Sequence, residues 1–90
     1  MAYEAEGRQI AADVANQFGR LLEVRLESKN PCRIVLECEH QEVTLPSEFI
    51  FKFGYSGSGP DCFHAFLQAS GFNVTKEQIT KASEGDVLRP

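Results

Sequence analysis

Two short stretches hold residue types that could do chemistry. The first is GYSGSGPDCFHAF, Gly54 to Phe66, which gathers glycines, two serines, Asp61, Cys62 and His64. The second is ECEHQE, Glu37 to Glu42, which gathers three glutamates, Cys38 and His40. Gly54-Tyr55-Ser56-Gly57-Ser58 comes close to G-x-S-x-G, the turn that lifts a nucleophilic serine between a strand and a helix. It departs with Ser58 in place of the last glycine, and Pro60 places the expected helix start several residues after Ser56. His40 and His64 are the only imidazoles that could serve as bases, in a chain too short for a hydrolase sheet. A small hydrolase using Ser56 or Cys62 stays an alternative.

An anion cradle is the second chemistry the glycine loop could support. Backbone N–H groups at a helix start, freed by glycines, form a concavity for phosphate. The specific signatures fail here. A P-loop needs Gly-Lys-Ser/Thr, but Gly59 is followed by Pro60 and Asp61, and a dinucleotide fingerprint starting at Gly57 would meet Cys62 where its third glycine belongs. Pro60 removes a donor and Asp61 repels an anion. A nucleotide-like ligand would therefore be held by neutral contacts: Tyr55 stacking, Ser56 and Ser58 hydrogen-bonding, Gly57 and Gly59 allowing close approach. Asp61 and His64 complete the expected ligand-binding set. The competing reading is a strand-to-helix connector with glycines at positive φ.

Cys38-Glu39-His40 and Cys62-Phe63-His64 form two C-x-H pairs of zinc-ligand types. On a strand the first pair shares a face; on a helix the second pair diverges, and the usual C-x₂₋₄-C spacing is absent. No metal or other cofactor is expected. Cys62 falls in the first turn of a helix, where the dipole lowers a thiol pKa, while Asp61 opposes it. His64, Gln68 and Asp61 fall on the polar face of that helix. Glu37, Glu39 and Glu42 cluster at a hairpin end. They read as a solvated sheet face or as an acidic patch for a basic partner.

The order F-x-x-G-Y-x-G-x-G-P followed by an amphipathic helix, carried by Phe51, Gly54, Tyr55, Gly57, Gly59 and Pro60, resembles a motif of small uncharacterised bacterial and phage proteins. The resemblance covers about a quarter of the chain. This chain departs from it with Ser56 where glycine is common, and with Cys62 and His64 in the helix. The resemblance implies a prokaryotic or phage origin and a compact accessory domain, with no activity attached.

The elements that must position these residues follow from periodicity. Ile10, Val14 and Phe18 recur at helical spacing, and Gly19 suits a helix end. Leu22, Val24 and Leu26 alternate with Glu23, Arg25 and Glu27, as in a half-buried strand. A turn at Ser28–Pro31 leads to a second strand that turns Ile34, Leu36 and Cys38 to one face. Gln41–Leu45 is expected as a third strand, ended by Pro46. Phe49, Phe51, Phe53 and Tyr55 share a period of two, which makes the run a candidate fourth strand. Core packing against the helices accounts for most of these aromatics, and on an uncovered sheet face they would line a ligand pocket or a dimer interface. Phe63, Phe66 and Leu67 form the stripe of a helix that ends at Gly71. Thr75–Gln78 has the T-x-x-Q form of a capping box, opening a last helix that runs to about Ser83. The expectation is one α+β domain over residues 1–90 with 85–90 a loose tail: a helix, three or four antiparallel strands, then two short helices.

Composition bounds the function. The 90 residues carry a net charge of −4, with scattered basic residues. That balance argues against a nucleic-acid partner, which calls for clustered Lys and Arg. No apolar run reaches the ~18–20 residues of a membrane helix. The N-terminus carries acids and lacks the apolar core of a signal peptide, so the cytoplasm is expected. On that footing Asn73-Val74-Thr75 has no meaning as a glycosylation site. The odd count of three cysteines reads as reduced thiols. The reading overall is a non-catalytic binding protein that sequesters a nucleotide-like ligand or occupies a host protein, forms a homodimer, and acts through Tyr55–Asp61 and the aromatic run. The alternative is a protein inhibitor that uses the acidic hairpin.

Overall fold

The computed structural model describes residues 2–90. Helix α1 spans Ala2–Phe18, strands β1 and β2 span Leu21–Lys29 and Cys32–Cys38, and β3 spans Glu42–Leu45. Helix α2 covers Ser58–Ala69, α3 covers Lys76–Thr80, and β4 covers Val87–Leu88. The four strands make one antiparallel sheet in the order β3-β2-β1-β4. The fold is α+β, as composition and periodicity predict.

The alternation in β1 and β2 decides the layers, except at Leu22: a bulge between Leu21 and Glu23 turns Leu21 into the core and leaves Leu22, expected to face inward, exposed. Val24, Leu26, Ile34, Leu36 and Cys38 turn to one face and join Phe51, Phe53, Phe63, Phe66, Leu67 and Ile79 in a single core. The helices α1 and α2 pack against each other on this side. They approach so closely at Gly7 that a Cβ there would fall on the Cys62 carbonyl oxygen and lie 3.1 Å from both Ala65 Cβ and Phe66 N. Glycine in mid-helix costs conformational entropy; here it allows two backbones to touch.

Local chemistry closes the helix ends. At the C-terminus of α2, Gly71 at φ 90° lets its own N–H donate to the Gln68 carbonyl and the Phe72 N–H donate to Leu67. This is the Schellman pairing, and Phe72 folds back into the core. At α3, Thr75 Oγ1 accepts from Gln78 N–H while Gln78 Oε1 accepts from Thr75 N–H, which completes the capping box.

Three expectations need correction. The aromatic run from Phe49 to Tyr55 forms no strand. Side chains meet its backbone instead: within the run Lys52 Nζ donates to the Phe49 carbonyl and to that of Ser47 just before it, and the Cys32 thiol donates to the Phe51 carbonyl. Phe51 and Phe53 are buried, Phe49 is half-buried and Tyr55 is exposed, so the run packs the core as its composition suggests, but as an irregular strap. The last residues are no loose tail. β4 pairs with β1, Gly85 N–H donates to the Leu26 carbonyl at 2.7 Å, and Arg89 Nε lies 3.0 Å from Glu23 Oε1. The last helix stops at Thr80, short of Ser83.

Candidate functional site

Helix α2 begins at Ser58, only two residues after Ser56 and earlier than Pro60 suggests, so Pro60 lies within the first turn. Its missing N–H is one the helix leaves unbonded in any case. Of the loop glycines only Gly54 needs a positive φ, 86°. Gly57 is extended backbone at φ 166°. Gly59 is required for a different reason: a Cβ there would lie 2.7 Å from Lys52 Cγ and 3.0 Å from the Ile50 carbonyl. The glycine at 59 therefore lets the 49–53 strap cross the start of α2.

The structure separates the residues assigned to this loop. Tyr55 is 51% exposed, and its ring lies over Gly57, where a Cβ would be 3.1 Å from Tyr55 Cε2. Ser56 and Ser58 are exposed and Asp61 is half-exposed. Asp61 sits 3.7 Å from Lys76 Nζ, which also reaches Glu4, so it ties α2 to α1 and α3. His64 does not lie on a solvated face with Asp61 and Gln68. It is buried, with Nε2 2.9 Å from the Val74 carbonyl. The helix is covered on more sides than its apolar stripe implies, because the 71–75 segment folds over the flank that carries His64.

The nucleophile readings meet the same physics. Cys62 is fully buried. Burial, with the nearby Glu6 charge, pushes its thiol up to about 11, against the dipole effect. Burial also raises Cys38 and Cys32. Cys38 faces the core while His40 is exposed in the bend beyond β2, so the first C-x-H pair does not converge. Among the described residues no group of three or more His, Cys, Asp or Glu could hold a metal ion. The glycine loop lies at the Lys29–Cys32 end of the sheet, and His40 lies at the other end of β2. That is a strand length of about 20 Å, which takes His40 out of reach of Ser56, while the other imidazole, His64, is buried against the Val74 carbonyl.

No family model, curated protein or solved structure matches the chain. Its surface chemistry therefore rests on its own geometry, and the most organised charged feature is the sheet face turned away from the helices. Register aligns Val87, Arg25, Val35 and Thr44 across the four strands, with Glu23, Glu37 and Glu42 in the next row. Arg25 Nη2 lies 2.8 Å from Glu42, Nη1 lies 3.2 Å from Glu37 and 3.8 Å from Glu23, and Nε lies 3.6 Å from Glu27. The hydrogen bond to Glu42, then the surrounding carboxylate charges, hold the guanidinium above its ordinary pKa. With Arg89 on Glu23, the cluster sets two cations against four carboxylates.

Two of the three glutamates singled out in the sequence, Glu37 and Glu42, thus meet on one cation. Glu39 does not join them: its Oε1 accepts the Arg20 backbone N–H at 2.9 Å at the hairpin end. Glu23 and Glu27 belong to the cluster, although sequence reasoning assigned them only as outward-facing polar positions. The signal was the Glu23-Arg25-Glu27 alternation, which places a cation between two acids on one face.

Three concavities stand out on the surface of the described residues. One of 290 Å³ lies between α1 and the end of α2 and is lined by Val14, Leu21 and Ala69 among others; a second of 380 Å³ adjoins Arg20, Leu22 and Pro90; a third of 260 Å³ lies beside Arg33 and Pro46. None is lined by Tyr55–Asp61. Among the described residues no helix is long and apolar enough to cross a membrane.

Proposed function

We propose that this chain is a non-catalytic protein-binding module whose helix-free sheet face takes a basic surface on a partner. The observation that carries the reading is the arrangement of four carboxylates around Arg25. Arg25 fixes their positions without neutralising them. A charge field of this kind gives partner choice and association rate more than raw affinity. Against catalysis stand the buried, raised thiol of Cys62 and the engagement of His64 by Val74.

The test is immobilised protein challenged with a cell lysate, followed by salt elution. Wild type should retain basic proteins that leave as salt screens the field, and the Glu37→Lys/Glu42→Lys variant should not. If both retain the same proteins, the reading fails. A second form is a nucleotide-like ligand at the glycine loop, favoured by one observation: Tyr55 is a half-exposed aromatic beside Gly57. A nucleotide that raises the melting temperature of wild type but not of Tyr55→Ala would support it. A flat response across a nucleotide panel would remove it.

A further inference from the structure

The sheet ends in an open edge at β3, and the backbone there faces a definite way. The Cys38 N–H donates to the Gln41 carbonyl at 3.1 Å. In an antiparallel ladder the bonding direction alternates along the strand. Val43 and Leu45 therefore bond to β2, while the N–H and C=O groups of Glu42 and Thr44 point away from it. Both residues are exposed. Such a row of free donors and acceptors is a template for another strand.

The two sides of this edge differ in chemistry. On the outer side stand Glu42 and its neighbour Glu37, with side chains 53% and 46% exposed. On the inner side Val43 and Leu45 are half-buried against the core. At the Pro46 end, the 260 Å³ concavity lined by Pro31, Thr44, Leu45 and Pro46 among others opens beside the strand.

We infer that an extended segment of a basic partner adds to β3 as a fifth strand, with basic and aliphatic side chains alternating along it. The inference rests on the basic-partner reading above and specifies how that partner is held. Main-chain bonds to Glu42 and Thr44 supply register, as in other strand additions. Side chains on the outer side meet Glu42 and Glu37, and those on the inner side cover Val43 and Leu45. The segment's end reaches the concavity. Pro46 closes the edge after Leu45, so the docked stretch is only four or five residues long, about 14–17 Å. A second copy of this chain fits less well. Pairing β3 with itself brings two acidic rows together, and so short a contact falls below the ~1,000 Å² of a stable interface.

The probe is a labelled peptide alternating valine and lysine, titrated with the full chain by fluorescence polarisation. Controls are the same peptide N-methylated on one or the other set of alternate amides, and a valine–glutamate peptide. Thr44→Pro deletes one outward N–H while leaving every ladder bond to β2 in place, and edge positions tolerate proline. The expected result is binding of the valine–lysine peptide and none of the valine–glutamate one. One N-methylated set and Thr44→Pro should each weaken binding roughly tenfold, the worth of one or two main-chain hydrogen bonds. The N-methyl arm needs no variant, so misfolding of Thr44→Pro cannot obscure the answer.

Binding unaffected by N-methylation and by Thr44→Pro, yet lost in Glu37→Lys/Glu42→Lys, overturns strand addition and leaves the basic-partner reading standing. No peptide binding while folded basic proteins are still retained has the same consequence. No peptide binding and no retained protein overturns both. A concentration-dependent dimer abolished by Thr44→Pro makes the occupant a second copy and overturns the basic-peptide assignment.

Discussion

Gly7→Ala puts the tightest contact in the fold to a quantitative test. Two effects oppose each other. Alanine in a helix interior is favoured over glycine by ~1 kcal/mol. Against this, the added methyl would fall on the Cys62 carbonyl and stand 3.1 Å from Ala65 Cβ and Phe66 N. Two of these three neighbours are backbone atoms of α2, so no rotamer change relieves the clash and the helices must move apart. Overpacking of this kind costs about 1–3 kcal/mol, and backbone opposition places it in the upper half of that range. The net is a loss of about 1–2 kcal/mol, or roughly 4–16 °C in melting temperature for a domain of this size. Thermal and urea unfolding followed by circular dichroism read it directly. Ala12→Gly, at an exposed position of the same helix, calibrates the propensity effect alone and should cost ~1 kcal/mol. If Gly7→Ala melts at or above wild type while Ala12→Gly loses stability, the close approach of α1 and α2 is refuted.

Four further outcomes follow from the same geometry. His64→Ala should destabilise by about 2–4 kcal/mol in urea unfolding, since it leaves the Val74 carbonyl unpaired and opens a cavity; wild-type stability would mean His64 is not buried there. The Cys62 thiol is raised from 9.0 to about 11 in the folded chain, so the unfolded chain loses its proton first. Stability from this group is intact below pH 9 and falls as pH rises toward 11, and Cys62→Ala should flatten that slope in pH-dependent melts. Thiol labelling of the native chain near pH 8 should modify half-exposed Cys32 first and leave Cys38 and Cys62 until unfolding; early modification of Cys62, read by mass spectrometry, would contradict its burial. Arg25→Met should lower stability more at low salt than at high, because Glu23, Glu27, Glu37 and Glu42 then repel without a shared cation; a salt-independent loss would mean that the cluster is not electrostatic.

The parts of the fold legible in the sequence were those fixed by neighbours in the chain. The Ile10–Val14–Phe18 spacing, the β1–β2 alternation from Val24 onward, the stop at Gly71 and the Thr75–Gln78 box each depend on residues a few positions apart. The errors arose where distant chain decided the outcome. The Phe49–Tyr55 run has the period of a strand, but the thiol of Cys32, in β2, meets the Phe51 carbonyl that a ladder would have used. His64 falls beside Asp61 on a helical wheel, and only the return of Val74 buries it. Two-residue β4 has no pattern to read; it is recruited by the outward-facing backbone of Leu26. For the site, Glu37 and Glu42 were found by type and spacing. Their meeting on Arg25 required the register of three strands.

The one-sided core has a consequence for how such a protein could change over time. The helices and the aromatic strap lie on one face of the sheet, and among the described residues of the other face only Val35 is buried. Glu23, Arg25, Glu27, Glu37, Glu42 and Thr44 can thus be exchanged without disturbing the packing that makes the fold. A lineage carrying this scaffold could follow a changing partner by substitutions on that face alone. Divergence among its members should then concentrate there, while Gly7, Phe51, Phe63 and Phe66 hold still.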